Sequence, residues 1–274
     1  MSETRLASPS IIYPEADGQP MTESDATRDY LIYCVEVLRL FFHSRRNIYI
    51  SGNLFVYYQE GNPKAVISPD VFVVFGVSNR KRRSYKAWQE DGKLPSFVME
   101  ITSFSTKKQD EVEKPKLYAS LGVQEYFQYD PTADYLKPQL KGYQLVDGIY
   151  QPLSLVESTP DAVPFIHSPV LGLDLRLQTP NQEGMALLPL PKELRFYDPQ
   201  TELKLLSREE VEQVREQVER ERNLAQQERD SAQQERDSAQ QERDSAQQER
   251  DSAQQRAEQL AARLRELGVD PDQV

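Results

Sequence analysis

At 274 residues the chain has room for one domain of about 200 residues with an appendage, and its 38% hydrophobic content and mean hydropathy of −0.69 require a large segment to lie outside any core. A single cysteine, Cys34, excludes an internal disulfide, no run reaches the ~18 apolar residues of a membrane helix, and residues 1–19 lack the basic-then-apolar pattern of an export signal, so a reducing cytoplasm is expected. The net charge of −11 excludes general adhesion to nucleic acid, but −7 of it falls between Ser207 and Val274, and upstream of that a local basic patch can still dominate one face.

Residues 1–20 hold Pro9, Pro14, Asp17-Gly18 and Pro20 without periodicity and read as an irregular lead-in. The pattern changes at Met21. Thr22 with Asp25 resembles a capping box, and Tyr30, Leu31, Cys34, Val35, Leu38, Phe41 and Phe42 recur at three- and four-residue spacing, which predicts an amphipathic helix to about Ser44. Cys34 lies on its apolar stripe and reads as a small core residue; His43, near the helix end, suits the dipole.

Ile48 to Tyr58 reads as a strand with a bulge or tight turn at Gly52-Asn53, and after the turn Glu60-Gly61-Asn62-Pro63 the run Val66 to Phe75 reads as its antiparallel partner. The following loop contains Arg80, Lys81, Arg82, Arg83 and Lys86 with Tyr85 and Trp88 interleaved. That composition can hold a phosphate backbone and stack on a base, or it can be a solvated basic loop. A third strand, Phe97 to Thr102, leads into a helical stretch from about Thr106 to Leu121 closed by Gly122, then to a strand Glu125 to Tyr129. Beyond it, Gly142 to Leu145 and Tyr150 to Leu155 form a hairpin through Asp147-Gly148, and Leu171 to Leu177 and Leu194 to Tyr197 are short strands. His167 falls in this loop-rich part. Two histidines so far apart exclude Ser-His-Asp and Cys-His nucleophilic schemes and a structural zinc site.

From Ser207 onward the composition is helical, and Ser-Ala-Gln-Gln-Glu-Arg-Asp begins at Ser231, Ser238 and Ser245, a period of seven. With Val211 as position a, the a positions are Val211, Val218, Ala225, Ala232, Ala239, Ala246, Ala253, Leu260 and Leu267, whereas the d positions after Val214 are Glu221, Glu228, Glu235, Glu242 and Glu249. Half a seam predicts a long polar helix or weak coiled coil, a spacer able to self-associate through its alanine stripe.

Two runs stand apart. Ile67-Ser68-Pro69-Asp70-Val71-Phe72-Val73 and Ser96-Phe97-Val98-Met99-Glu100-Ile101-Thr102-Ser103 are apolar strands that each carry one carboxylate. A carboxylate there costs several kcal/mol unless paired, hydrogen-bonded or bound to a cation, so two of them on neighbouring strands point to a metal site. Glu100 and Thr102 share one face, and Thr106 to Lys114 supplies lysines nearby.

The element order, Pro69-Asp70 and Glu100-Ile101-Thr102 resemble the PD-(D/E)XK nuclease superfamily. More closely, Pro69-Asp70-Val71, Val98 to Ser103, the spacing of Asp110, Lys114 and Tyr118, and Leu121 to Phe127 resemble the putative restriction endonuclease family within it. The resemblance covers Met21 to Pro131 as core. It implies a restriction-endonuclease-like α/β fold, a helix, three strands, a helix and a strand forming a mixed sheet, followed by accessory strands and a long C-terminal helix. The expected divisions are a lead-in at 1–20, a nuclease-like domain at 21–206 (core 21–131, accessory strands 132–206) and the helix at 207–274. The implied chemistry is Mg²⁺- or Mn²⁺-assisted hydrolysis of DNA, and the expected assembly is a homodimer or a higher self-association through the C-terminal helix. Asp70 and Glu100 would be metal ligands, with a strand carbonyl such as that of Ile101 completing the shell. Lys114 would be the catalytic lysine, and Arg80, Lys81, Arg82, Arg83, Lys86 and Lys107 would hold the nucleic acid. The superfamily lysine two residues after the glutamate is here Thr102, so Lys114 on the next helix takes its place. Pro115 predicts a helix break there, with Lys116 and Lys107 as substitutes. The alternative is a nuclease-like fold that no longer cuts and serves as a binding or scaffolding module through its C-terminal helix.

Overall fold

The computed structural model describes residues 12–15, 24–156, 164–179 and 191–266. The chain divides into two compact units, Met1–Glu209 and Glu210–Val274.

Helix α1 (Asp25–Phe41) is capped by Ser24, whose Oγ accepts the Thr27 N–H at 3.1 Å, and it buries Cys34, Val35, Val37 and Leu38. The Thr22 half of the expected capping box lies outside the described residues. The helix stops short of Ser44 because the chain tightens there, His43 N–H bonding Leu40 O at 3.2 Å. Cys34 is fully buried with Sγ 4.0 Å from Met99 Sδ, and burial pushes its thiol pKa well up, as suits a core residue.

The strands follow as β1 (Ile48–Ser51), β2 (Val56–Tyr57), β3 (Val66–Ile67), β4 (Val71–Phe75), β5 (Tyr85–Lys86) and β6 (Phe97–Ile101). After the helical segment that ends in α2 (Lys114–Ser120) come β7 (Glu125–Tyr129), β8 (Leu140–Val146), β9 (Ile149–Pro152), β10 (Phe165–Ser168), β11 (Leu173–Gln178) and β12 (Glu193–Tyr197). A six-stranded mixed sheet runs in the order β1-β4-β6-β7-β8-β9. Its one parallel pair, β6 with β7, is joined by the α2 segment, the crossover that a parallel pair requires. Smaller sheets are β3-β2-β5 and β10-β11-β12.

Alternation sorts the main sheet into two faces. Val71, Val73, Phe97, Met99 and Ile101 pack with α1 and with Leu173, Leu175 and Phe196 of the β10-β11-β12 sheet; Phe72, Val74 and Val98 pack on the other side with Tyr118 and Tyr126. The long run from Ile48 to Tyr58 is not one strand. It crosses the chain at Pro69-Asp70, where Asn53 N–H bonds Pro69 O at 3.0 Å and a Cβ on Gly52 would sit 2.2 Å from Asp70 O. The crossing sends β1 and β4 into the large sheet and β2 and β3 into a small one. The β8–β9 hairpin turns at Asp147 (φ 50°) and Gly148 (φ 79°), as the Asp-Gly pair predicts. His167 lies on β10, not in a loop, with Nδ1 2.8 Å from Asp174 Oδ1.

Helix α3 (Arg208–Glu266) is one continuous helix. Its repeats are laced by Gln-to-Asp bonds four residues apart, such as Gln233 Nε2 to Asp237 Oδ1 and Gln240 Nε2 to Asp244 Oδ1, both at 2.8 Å. Among the described residues no helix is long and apolar enough to cross a membrane.

Candidate active site

Strands β4 and β6 pair antiparallel with Val71 opposite Met99, so one further step sets Asp70 opposite Glu100. Opposed side chains on one face of such a pair stand ~5 Å apart. The parity that aims Phe72 and Val98 at the α2 side aims both carboxylates there too. Asp70 Oδ2 accepts the Ile101 N–H at 2.8 Å. Burial, and then the charge of Glu100, hold the Asp70 carboxyl well above the usual carboxylate range, against the opposing pull of Lys114 and the Ile101 N–H.

Glu100 is fully buried. Its Oε1 accepts from Tyr118 Oη at 2.5 Å, and Oε2 lies 2.9 Å from Lys114 Nζ without a hydrogen bond of good geometry. Burial and the Glu100 charge push the Tyr118 phenol well up, so it stays protonated and remains a donor. Lys114 also meets Asp110 Oδ1 at 2.7 Å. Burial alone would lower the ammonium's pKa, yet the carboxylates of Glu100 and Asp110 outweigh it and raise it, so the lysine is a fixed cation.

At Pro115 the helix changes type rather than ending: a second segment, α2, starts at Lys114 with the proline in its first turn, as expected, but without an interruption of the helical path. The chain stays helical through a π turn at Gln109–Glu113, with Lys114 N–H bonding Gln109 O five residues back. Proline has no N–H, so the Asp110 carbonyl is left without a helical partner. Tyr126 Oη at 2.7 Å and Gln128 Nε2 at 2.8 Å donate to it instead. This insertion turns Lys114 onto the carboxylates. Lys107 lies 5.3 Å over the Tyr135 ring, and Lys116 is exposed, so neither replaces it. Thr102, at the position of the superfamily lysine, is buried and donates from Oγ1 to Asp110 Oδ2 at 2.7 Å, itself contacted by Tyr135 Oη.

The basic loop differs from expectation. Arg80 and Arg82 both pair with Glu90, at 2.8 and 2.9 Å, and Arg82 stacks 4.2 Å over Tyr49. Arg83 pairs with Glu15 at 2.8 Å, Lys86 lies 4.9 Å over Tyr13, and Tyr85 is fully buried. Tyr85 is therefore not available to stack on a base; the Arg82 side chain is held within the fold, whereas that of Arg80 stays at the surface, 63% exposed. Lys81 is exposed and makes no ion pair among the described residues.

The donor set suits a divalent cation. Two adjacent carboxylates share a site in which burial, and then the charge of Glu100, disfavour ionisation of Asp70, and Glu100 Oε2 keeps unused acceptor capacity; both are what a cation would relieve. Among the described residues no group of three or more His, Cys, Asp or Glu surrounds one point. Mg²⁺ needs no such cage, since it takes one or two carboxylates and fills its shell with water and phosphate.

The sequence pattern of the Uma2 family, described as "Putative restriction endonuclease", matches residues 6–178. The chain belongs to that family. The Uma2 match runs to the end of β11, takes in Asp70, Glu100, Asp110, Lys114 and Tyr118, and leaves β12 and α3 outside. Among solved structures, a putative nuclease belonging to DUF820 from Anabaena variabilis aligns over 57% of this chain and 81% of its own, at 16% identity and a TM-score of 0.37. No curated protein matches. Membership in Uma2 sets the chain among nuclease-like proteins. Sequence reasoning missed the parts that Asp110, Tyr126, Gln128 and Tyr135 play around the pair. The visible signal was the four-residue spacing of Asp110, Lys114 and Tyr118, which puts three polar groups on one helical face.

Proposed function

We propose that the chain is a Mg²⁺- or Mn²⁺-dependent endonuclease that hydrolyses phosphodiester bonds of DNA. The observation that carries this reading is the juxtaposition of Asp70 and Glu100 across β4 and β6 with Lys114 Nζ 2.9 Å from Glu100. Asp70 and Glu100 would hold the cation, which when bound supplies charge to polarise a phosphate and to acidify a water. Tyr118 fixes the Glu100 carboxylate, and Ile101 N–H fixes that of Asp70. Asp110, oriented by Thr102, holds Lys114, whose side chain is 26% exposed and reaches the solvent side, where it can orient the attacking water or neutralise charge building on phosphoryl oxygens. The choice of DNA follows the family description, and a homodimer would offer two sites to two strands. The buried free thiol of Cys34 fits a reducing cytoplasm.

One observation favours a second reading. Lys114 already pairs with both Glu100 and Asp110, so the carboxylates have a resident cation and the fold could persist as a binding module joined through α3. Titration calorimetry of Mg²⁺ and Mn²⁺ into wild type, Asp70→Ala and Glu100→Ala, with nicking of supercoiled plasmid followed on the same samples, separates the two. Binding and nicking that both disappear in the variants support the nuclease. A wild type that binds no cation leaves the module.

A further inference from the structure

Strand β1 is an edge of the six-stranded sheet, and a groove of about 520 Å³ runs along it between the C-terminal end of α1 and the loop at Asn79–Arg82. Its polar lining includes Arg39, His43, Lys81 and Arg82, and no Asp or Glu lines it, on a chain whose net charge is −11. We propose that this groove binds the phosphodiester backbone of a nucleic acid, with Arg39, His43 and Lys81 as its phosphate contacts. The proposal rests on the nuclease reading and says where the substrate lies.

Arg39 and Lys81 have donors to spare. Arg39 Nε bonds Ile50 O at 3.0 Å, which pins the guanidinium against the edge strand and leaves its terminal nitrogens for a ligand. His43 donates its Nδ1–H to Leu40 O at 2.7 Å, so its Nε2 donates to a phosphate when the ring is an imidazolium, and Lys81 is exposed. Arg82 is spent on Glu90, Ser78 O and Arg80 O and forms part of the wall. Its pairing, with that of Arg80, offsets the charge of Glu90. The groove ends at Ser51, and the next residue, Gly52, abuts Asp70 O. Since β1 is about 10 Å long, the groove ends beside the strand crossing at which the main chain of Asp70 lies. Phosphate contacts of this kind give affinity and register without reading bases.

The test is fluorescence anisotropy of a labelled 20-base-pair DNA duplex in EDTA, so that nothing is cut, across a series of salt concentrations. Variants of the full chain are Lys81→Ala, Arg39→Ala and, as a matched loss of charge outside the groove, Lys64→Ala. Lys81 makes no contact that the fold needs, so its variant keeps the test valid if Arg39→Ala unfolds. The expected result is that Lys81→Ala and Arg39→Ala each bind roughly tenfold more weakly at 0.1 M salt, with the slope of log K against log salt reduced by about 0.9, while Lys64→Ala binds as wild type. If all variants bind alike, or Lys64→Ala loses as much as Lys81→Ala, the groove is overturned and the nuclease reading stands. If wild type binds no duplex, both fall.

Discussion

Thr102 Oγ1 donates to Asp110 Oδ2 at 2.7 Å. In the superfamily pattern a lysine stands at this strand position. Here a neutral hydroxyl takes it and orients a carboxylate on the next helical segment, which holds Lys114 in turn. The positive charge meets Glu100 from the helical segment instead, held there by a second acid, Asp110.

That chain of contacts predicts the cost of its first link. Thr102→Val keeps shape but leaves Asp110 Oδ2 without its donor in a buried setting, and should lower stability by about 1–3 kcal/mol. Thr102→Ser keeps the hydroxyl and should lose less. Urea unfolding of the three proteins gives the comparison.

Removing the lysine should be worse. Lys114→Met leaves Glu100 and Asp110 buried and uncompensated, which costs about 3–5 kcal/mol. The expected outcome is a protein destabilised in metal-free buffer, partly restored by Mg²⁺ or Mn²⁺, and without nicking activity. Thermal melts with and without cation, read beside plasmid nicking, check each part; a variant as stable as wild type without cation would contradict the ion-pair assignment.

Gly52→Ala addresses the crossing that places Asp70. Its Cβ would lie 2.2 Å from Asp70 O and 2.9 Å from Val35 Cγ2, so backbone must move. Overpacking of this sort costs typically about 1–3 kcal/mol, and the shift should weaken Mn²⁺ binding as well as lower the melting temperature. Calorimetry that found cation affinity unchanged would separate the crossing from the site.

Glu90 gives a pH signature away from the carboxylate pair. Its side chain is 11% exposed; burial would raise its pKa, but hydrogen bonds from Arg80 and Arg82 outweigh that and lower it below the ordinary 4.5. A carboxylate depressed in the folded state adds stability above its unfolded pKa and loses it as pH falls through the folded one. Wild type should therefore exceed Glu90→Gln in melting temperature at pH 6, with the gap closing towards pH 3. A constant gap would assign the difference to packing alone.

The frame of the molecule was legible where it rests on local pattern. Apolar, β-branched and aromatic runs of strand length marked β4 and β6; a carboxylate in each of those two runs marked Asp70 and Glu100; Asp147-Gly148 marked the hairpin. What escaped depends on contacts between distant residues. The split of the first long strand comes from Gly52 meeting Asp70, eighteen positions on. The π turn survives because Tyr126 and Gln128 satisfy a carbonyl that Pro115 cannot. Likewise the basic loop looked free because Glu90, which binds two of its arginines, is an ordinary acid when seen in sequence. Strand β10 is four residues long between Pro164 and Pro169, too short for alternation to register.

Helix α3 behaves as a graduated rod. Each seven-residue unit adds about 10.5 Å and turns the far end by only about 20°, while the surface it presents is the same as that of the unit before. Gaining or losing a copy would thus alter reach in fixed increments and pose no new folding problem. The distance between whatever is joined at its two ends could drift across generations while the cleft in the other unit stays unchanged.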